Sequence, residues 1–439
     1  MRTIDLRGKN LDRAGMLAAV PRATQARAEA LDAATRIVDD VRRRGEDALR
    51  EQAERFDRVS GHDIRVPAAH LAEALANVDP EVRAALETAI DRVRQASAAQ
   101  VPAPQVTDIG PGARIRQRWQ PVTRAGVYIP GGKAVYPSSV IMNVVPAQVA
   151  GVTAIALASP PQAEHGGRVH PTILAAAALL GVDEIYAMGG AGAIGALAHG
   201  VASLGLDPVD VVSGPGNNYV ASAKRAVAGV VGTDSEAGAT EILVVADAGA
   251  DPRLIAADLI SQAEHDEQAS AVLVTDSAEL AERVAADVAE LAAATRHRER
   301  VAAALEGPQS AIVLVDDRAA AEAFSNAYAP EHLELHLADA ASAAAHFTSA
   351  GAVFVGDQTP VSLGDYMAGS NHVLPTGGQA RYAPGLGAYT FLRPQQVIEY
   401  DHAALAEVRA GVVALAEAEV LPAHGEAIEA RFQGNPGSR

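Results

Sequence analysis

Thr153-Ala-Ile-Ala-Leu-Ala158 and Glu184-Ile-Tyr-Ala-Met188 are short aliphatic runs, and the second leads directly into Gly189-Gly-Ala-Gly-Ala-Ile-Gly195. Brief aliphatic runs, each followed by an Ala-rich stretch of helical spacing, are the pattern of buried parallel strands covered by helices. Gly126-Val-Tyr-Ile129 and Val209 to Val212 extend this series on either side. A second series comprises Ile242-Leu-Val-Val-Ala-Asp247, Ala271-Val-Leu-Val-Thr275, Ala311-Ile-Val-Leu-Val315, Leu333-Glu-Leu-His336 and Ala352-Val-Phe-Val355. The fold class expected is α/β, with two Rossmann-like parallel-sheet domains. They read as duplicates of one plan, although the letters carry no repeat.

Ahead of these series, Ala26 to Phe56 and Ala68 to Ala98 carry helical apolar spacing and helix-forming composition. A break containing Pro and Gly runs from Val101 to Gly112; Arg114 to Arg118 then reads as an exposed charged strand, followed by the lone Trp119. Beyond Pro394, Ala403 to Ala418 and Ala423 to Phe432 read as helices too short to bury a core alone, so they must dock on something. Gly434 to Arg439 reads as disordered. The divisions expected are an N-terminal segment 1–25, a first α/β domain of 26–124 with 239–385, a second of 125–238, and a C-terminal segment 386–439.

Composition narrows the chemistry. The 439 residues include 36 Lys and Arg against 54 Asp and Glu, a formal net charge of −18, and no Cys. Disulfide frameworks, Cys-based metal clusters and every thiolate nucleophile are excluded. The acidic field argues against nucleic-acid and membrane-surface partners, so a phosphate-bearing ligand must be held by local donors. The first ten residues lack the apolar region of a signal peptide and no apolar run is long enough to span a bilayer, so a cytoplasmic protein is expected.

Three glycine turns follow predicted strands of one sheet. Gly190-Ala-Gly192-Ala-Ile-Gly195 satisfies GxGxxG, but it lacks a well-placed acidic partner, and a tight helix–strand crossing explains it as readily. Ile129-Pro-Gly-Gly-Lys133 and Ser213-Gly-Pro-Gly-Asn217 are the other two. Together they outline a nucleotide crevice at the strands' carboxyl ends. Lys133 could add a local cation or be simply solvated.

Polar residues with chemistry cluster in separate segments. Gln262 and His265 are three apart at a helix end and can converge on one ion, or form an ordinary polar last turn. Glu331 and His332 follow Pro330 at a strand mouth. Adjacent residues on an extended segment point apart, so both reach one site only if the backbone turns there; the alternative is a polar strand edge. Leu363 to Gly378 reads as a long functional loop in which Asp365 and His372 are the reactive side chains. Glu419 and His424 stand near the start of the last helix. Gln, His and Asp donors form a nitrogen–oxygen set suited to zinc or manganese.

These motifs, in order, resemble the histidinol dehydrogenase family over essentially the whole chain. Val127-Tyr-Ile-Pro-Gly-Gly-Lys-Ala-Val-Tyr-Pro-Ser-Ser139, Ser213 to Asn217, Gln262-Ala-Glu-His265-Asp, Pro330-Glu-His-Leu-Glu334 and Gly364-Asp365 through Asn371-His-Val-Leu-Pro-Thr376 carry the likeness. The resemblance implies oxidation of L-histidinol to L-histidine with NAD, and one zinc per active site. It implies Gln262, His265, Asp365 and His424 as metal ligands that also surround the substrate. Thr240, His332, His372 and Glu419 match substrate contacts, and Tyr128 and Asn217 match NAD contacts. His424 would serve the partner's site in an intertwined homodimer, with the C-terminal segment docking on the partner subunit. His332 would be the base in both oxidations and Glu331 the activator of water that hydrates bound histidinaldehyde.

Three positions depart from the family pattern. Gly192 stands where a Gln touching NAD is usual, Ala239 replaces a turn Pro, and Val420 replaces a Gly. A related dehydrogenase of another alcohol, a nucleotide-independent zinc hydrolase and a structural metal-binding protein are the competing readings. Glu331, His372 and Glu419 disfavour an anionic alcohol, and the glycine loops disfavour the hydrolase.

Overall fold

A computed structural model gives the fold for residues 1–22, 27–131, 135–235 and 238–433. Lys133 and the tail 434–439 lie outside these described residues. Along the chain, β1 (Arg2–Asp5) precedes a helical stretch that ends at Ala98, followed by β2 (Gln105–Gly110) and β3 (Ala113–Pro121). Next come β4 (Arg124–Tyr128), β5 (Ala154–Ser159), β6 (Ile185–Ala187), β7 (Val211–Ser213) and β8 (Gly232–Thr233). The second series is β9 (Glu241–Ala246), β10 (Ser270–Thr275), β11 (Ala311–Leu314), β12 (His332–His336) and β13 (Ala352–Val355). Finally β14 (Leu392–Tyr400) leads to the helices His402–Ala418 and Pro422–Glu429.

Among the described residues these strands form sheets ordered β6-β5-β4-β7-β8, β1-β11-β10-β9-β12-β13 and β14-β3-β2. The first two are parallel throughout, as expected from the aliphatic runs. Every residue of β9 and β10 is buried, which is why both read as unbroken aliphatic runs rather than alternating ones. Helix starts are set locally: Asp251 and Asn217 accept backbone N–H groups as N-caps, and Pro252 occupies a first helical turn.

The chain divides into two compact units. One is Met1–Val101 with Val122–Phe391; the other is Pro102–Pro121 with the described residues from Leu392 onward. Both parallel sheets belong to the first. There the helices Arg27–Arg44 and Glu46–Gln52 place Ala34, Val38, Val41 and Leu49 in one core with Tyr128, Tyr186, Ile194 and Val212. They therefore complete the five-stranded body and not the 239–385 body to which the sequence reading assigned 26–124. That body instead gains β1, which pairs with β11, so the expected N-terminal segment is a sheet edge.

The second unit contains the antiparallel sheet, in which β3 pairs with both β2 and β14. The charged strand at 114–118 was expected; β2 lay in the supposed break, and β14 was unforeseen. No helix among the described residues is long and apolar enough to cross a membrane.

Candidate active site

The helix Arg318–Tyr328 ends at Ala329, which takes φ +52° although it carries a Cβ. This left-handed residue closes the helix ahead of Pro330 and β12. His332 then opens β12 beside Glu241, the first residue of β9. Both side chains reach the backbone of Glu241. Its N–H donates to Glu331 Oε2 at 2.9 Å, and its carbonyl lies 3.0 Å from His332 Nδ1. A carbonyl only accepts, so Nδ1 carries the proton and Nε2 presents its lone pair. That Nε2 is buried and has no hydrogen-bond partner.

Glu331 Oε2 also accepts the Thr240 hydroxyl at 2.6 Å. Burial pushes the Glu331 carboxyl up to about 7, against the opposing pull of His332, Thr240 and the Glu241 N–H. Thr240 in turn accepts from Gln262 Nε2 at 2.5 Å. That contact fixes the amide and leaves Gln262 Oε1 buried and unpartnered. The Glu241 side chain is pinned by Arg22 Nε at 2.5 Å and by the Gly377 N–H at 3.1 Å.

His265, just past the helix Pro252–Ala263, is held below the usual imidazole range by burial, while neighbouring Asp365 pulls it the other way. Asp365 lies in the short helix Val361–Tyr366, which occupies the start of the stretch read as a loop. Its carbonyl accepts from His372 Nδ1 at 3.0 Å, so His372 Nε2 accepts the Ser139 hydroxyl at 3.1 Å. Thr240, Gln262, His265, Glu331, His332, Asp365 and His372 thus occur in one neighbourhood. The bare Gln262 Oε1, on the helix that leads to His265, is a donor that a nitrogen–oxygen metal set can use. Glu419 and His424 are exposed residues of the other unit.

The glycine turns lie at the carboxyl ends of β4, β6 and β7. Gly214 has φ +122°, and a Cβ there would come within 2.0 Å of the Tyr128 carbonyl oxygen, so only glycine fits. Asp234 accepts the Gly214 N–H at 2.9 Å and pairs with buried Lys224 at 2.5 Å, bracing that loop. The Tyr128 hydroxyl accepts the Gly190 N–H at 3.1 Å, and open space lies where a Gly190 side chain would project. Asn217 spends its side-chain oxygen on the N–H groups of Tyr219 and Val220. Glycine turns at the carboxyl edge of a parallel sheet are of a kind that can accept a dinucleotide's phosphates.

A profile of the histidinol dehydrogenase family matches residues 20–432. The chain belongs to the histidinol dehydrogenase family. It is 65% identical to the histidinol dehydrogenase of Leifsonia xyli subsp. xyli (strain CTCB07) over 433 residues, 99% of each chain. Identity to that of Thermobifida fusca (strain YX) is 58%, covering 98% of this chain and 97% of the relative. The crystal structure of histidinol dehydrogenase from Elizabethkingia anophelis superposes with a TM-score of 0.92 at 32% identity, covering 99% and 98% of the two chains. Members of the histidinol dehydrogenase family are oxidoreductases.

Two of the three departures from the histidinol dehydrogenase pattern have structural meaning. Gly192 is buried inside the helix Gly190–His199, and a Cβ there would lie 1.9 Å from Gln52 Oε1. The residue expected to face the cofactor is therefore packed against Gln52 and Leu49 of a neighbouring helix. Val420 adopts φ +58° itself, so the turn before the last helix is kept at the cost of strain in a β-branched residue. Three residues that the sequence reading gave no role hold the site together. Arg22 carried no local signal; Glu241 and Ser139 lay within motifs that carry the family resemblance.

Proposed function

We propose that this chain carries out the NAD-linked, four-electron oxidation of L-histidinol to L-histidine, through bound histidinaldehyde and its hydrate. The reading rests on one observation: a histidine with an unpartnered ring nitrogen and a buried carboxyl pushed up to about 7 are both anchored on the backbone of Glu241, one on its carbonyl and the other on its N–H. Two proton acceptors of different kind at the mouth of one strand suit a reaction that deprotonates an alcohol, a water and a hydrate in turn.

Gln262, His265 and Asp365 would hold the metal, completed by His424 of a second copy in a homodimer; Glu419 would accompany it. Support comes from the second unit, where Leu415 and Leu421, the latter between its last two helices, are 67% and 44% exposed. Tyr128, Asn217 and the Gly192 helix are the family positions for NAD, Tyr128 and Asn217 through their loops and Gly192 only through its helix. When bound, zinc supplies charge that orients the substrate's imidazole and amine, and NAD supplies the hydride acceptor for each oxidation. His332 Nε2 takes the proton of the alcohol and later that of the hydrate. Glu331 takes a proton from the water that attacks the aldehyde, steadied by Thr240 and the Glu241 N–H. His372, held by Ser139 and the Asp365 carbonyl, lines the substrate side. The work is done in the cytoplasm without nucleic-acid or membrane partners.

The test is stoichiometric. Wild-type protein with limiting L-histidinol and excess NAD+ should yield about two NADH per substrate. Glu331→Gln keeps shape and acceptor oxygen but loses the base, so it should stop near one NADH with histidinaldehyde accumulating. A wild-type yield near one, or a variant that oxidises added histidinaldehyde normally, would sink this reading.

A further inference from the structure

Two carboxylates and an imidazole are buried together away from the catalytic residues. Alternate residues of β12 face one side of the sheet, so His332, Glu334 and His336 share a face. His336 lies four residues beyond His332, about 13 Å along the strand. There Asp258, from the helix Pro252–Ala263, meets Glu334 and His336, and the three potential ligand atoms lie within 4.8 Å of one another. His336 Nε2 is 3.4 Å from Glu334 Oε2 and 3.9 Å from Asp258 Oδ2. Glu334 Oε1 is taken by the Val361 N–H at 2.7 Å, which leaves Oε2 to the cluster.

With both carboxylates ionised, the charges do not balance. Side-chain exposure is 1% for Glu334, 3% for His336 and 14% for Asp258. Among the described residues neither carboxylate forms an ion pair with Lys or Arg; His336 is the one basic group paired with them. Its other ring nitrogen is buried without a partner. One imidazole brings at most one positive charge to two carboxylates, and a buried uncompensated charge is costly. Burial and the charge of Glu334 push the Asp258 carboxyl up to about 7.

We propose that Asp258, Glu334 and His336 hold a divalent transition-metal cation of the zinc class, at a site separate from Gln262, His265 and Asp365. One imidazole nitrogen and two carboxylate oxygens form a donor set that zinc accepts. Tetrahedral ligands about 2.1 Å from zinc stand roughly 3.4 Å apart. The His336–Glu334 edge already has that length, and the Asp258 edge is 0.5 Å longer (3.9 less 3.4 Å). The partly exposed Asp258 provides the way in, and water completes the coordination. The ion would tie β12, which begins at the base His332, to the helix that carries the candidate ligand Gln262.

The experiment is metal counting on the full chain, purified without chelator, equilibrated with zinc and freed of excess. Wild type should hold two zinc ions per chain. Asp258→Asn and His336→Gln should each hold one, and Asp258→Asn combined with His265→Ala none. His265→Ala alone separates the two claims: if the catalytic zinc reading fails, it loses nothing, while Asp258→Asn still loses one ion. Asp258→Asn preserves shape at a partly exposed position; should His336→Gln not fold, it carries the test alone. As a second readout, added zinc should raise the thermal midpoint of His265→Ala and leave that of the double variant unmoved. Metal content in Asp258→Asn equal to wild type, or the same zinc-induced shift in both variants, overturns the proposal.

Discussion

Thr240→Val replaces a hydroxyl by a methyl of nearly the same shape, at the point where Glu331 and Gln262 meet. The hydroxyl donates to Glu331 Oε2 at 2.6 Å, and only the Glu241 N–H at 2.9 Å remains once it is gone. A hydrogen bond to a charged group is worth about 1.5–3 kcal/mol, and about 1.4 kcal/mol of preference for the ionised form corresponds to one pKa unit. The Glu331 carboxyl, already at about 7, should therefore rise by about one to two units. At pH 7 its ionised share would fall from near one half to between about a tenth and a hundredth. Oxidation of histidinaldehyde, which needs that base, should slow by about 5- to 50-fold at pH 7 and recover as pH rises toward 9. The sign follows from the role: an acid with a raised pKa becomes the active base only above that value. The assay is NADH formation from histidinaldehyde across pH 6 to 10, with Thr240→Ser as the variant that retains the donor. Metal content must be measured alongside, because Gln262 Nε2 loses its acceptor at 2.5 Å. An unmoved midpoint, or an equal loss at every pH, refutes the assigned role of the hydroxyl.

Two further substitutions probe the frame around the site. Gly214→Ala forces a Cβ into the Tyr128 carbonyl, 2.0 Å away, at φ +122°; a loss of about 2–5 kcal/mol is expected in urea unfolding, with NAD binding weakened at least tenfold by calorimetry. Unchanged stability would show that the two loops can separate freely. Val420→Gly relieves a left-handed β-branched residue at φ +58° that is 82% exposed, and should raise the stability of the second unit by about 1 kcal/mol; a lower unfolding midpoint would count against strain there.

What could be read from the letters follows from burial. Strands such as β9 and β10 are buried along their whole length, so their aliphatic runs declare them. β2 is exposed along nearly all its length and β14 along most of its own, which leaves no apolar pattern to find. Which body the N-terminal helices join depends on long-range packing of Val38 and Leu49, invisible to local periodicity. Glu331 and His332 converge on the backbone of Glu241, 90 and 91 residues away, through the pairing of β12 with β9, which local spacing does not announce. At Gly192 the letters fit both a phosphate-binding pattern and a tight helix crossing, and a Cβ there would lie 1.9 Å from Gln52 Oε1. Arg22 supports Glu241 from 219 residues away, beyond any spacing rule.

The candidate catalytic residues gather at the amino ends of β9, β10 and β12, whereas the glycine turns gather at the carboxyl ends of β4, β6 and β7. In a parallel sheet those edges carry opposite partial charge, because the covering helices all run against the strands. Helices arrive at an amino edge with their negative ends, as Pro252–Ala263 and Arg318–Tyr328 do beside His265 and Glu331. They leave a carboxyl edge with their positive ends, as Gly190–His199 and Asn218–Val227 do. One edge thus favours a metal ion and an ammonium-bearing substrate, and the other favours a pyrophosphate. A chain of net charge −18 can in this way attract an anion and a cation at once, by sorting them along backbone dipoles rather than by spending lysines and arginines.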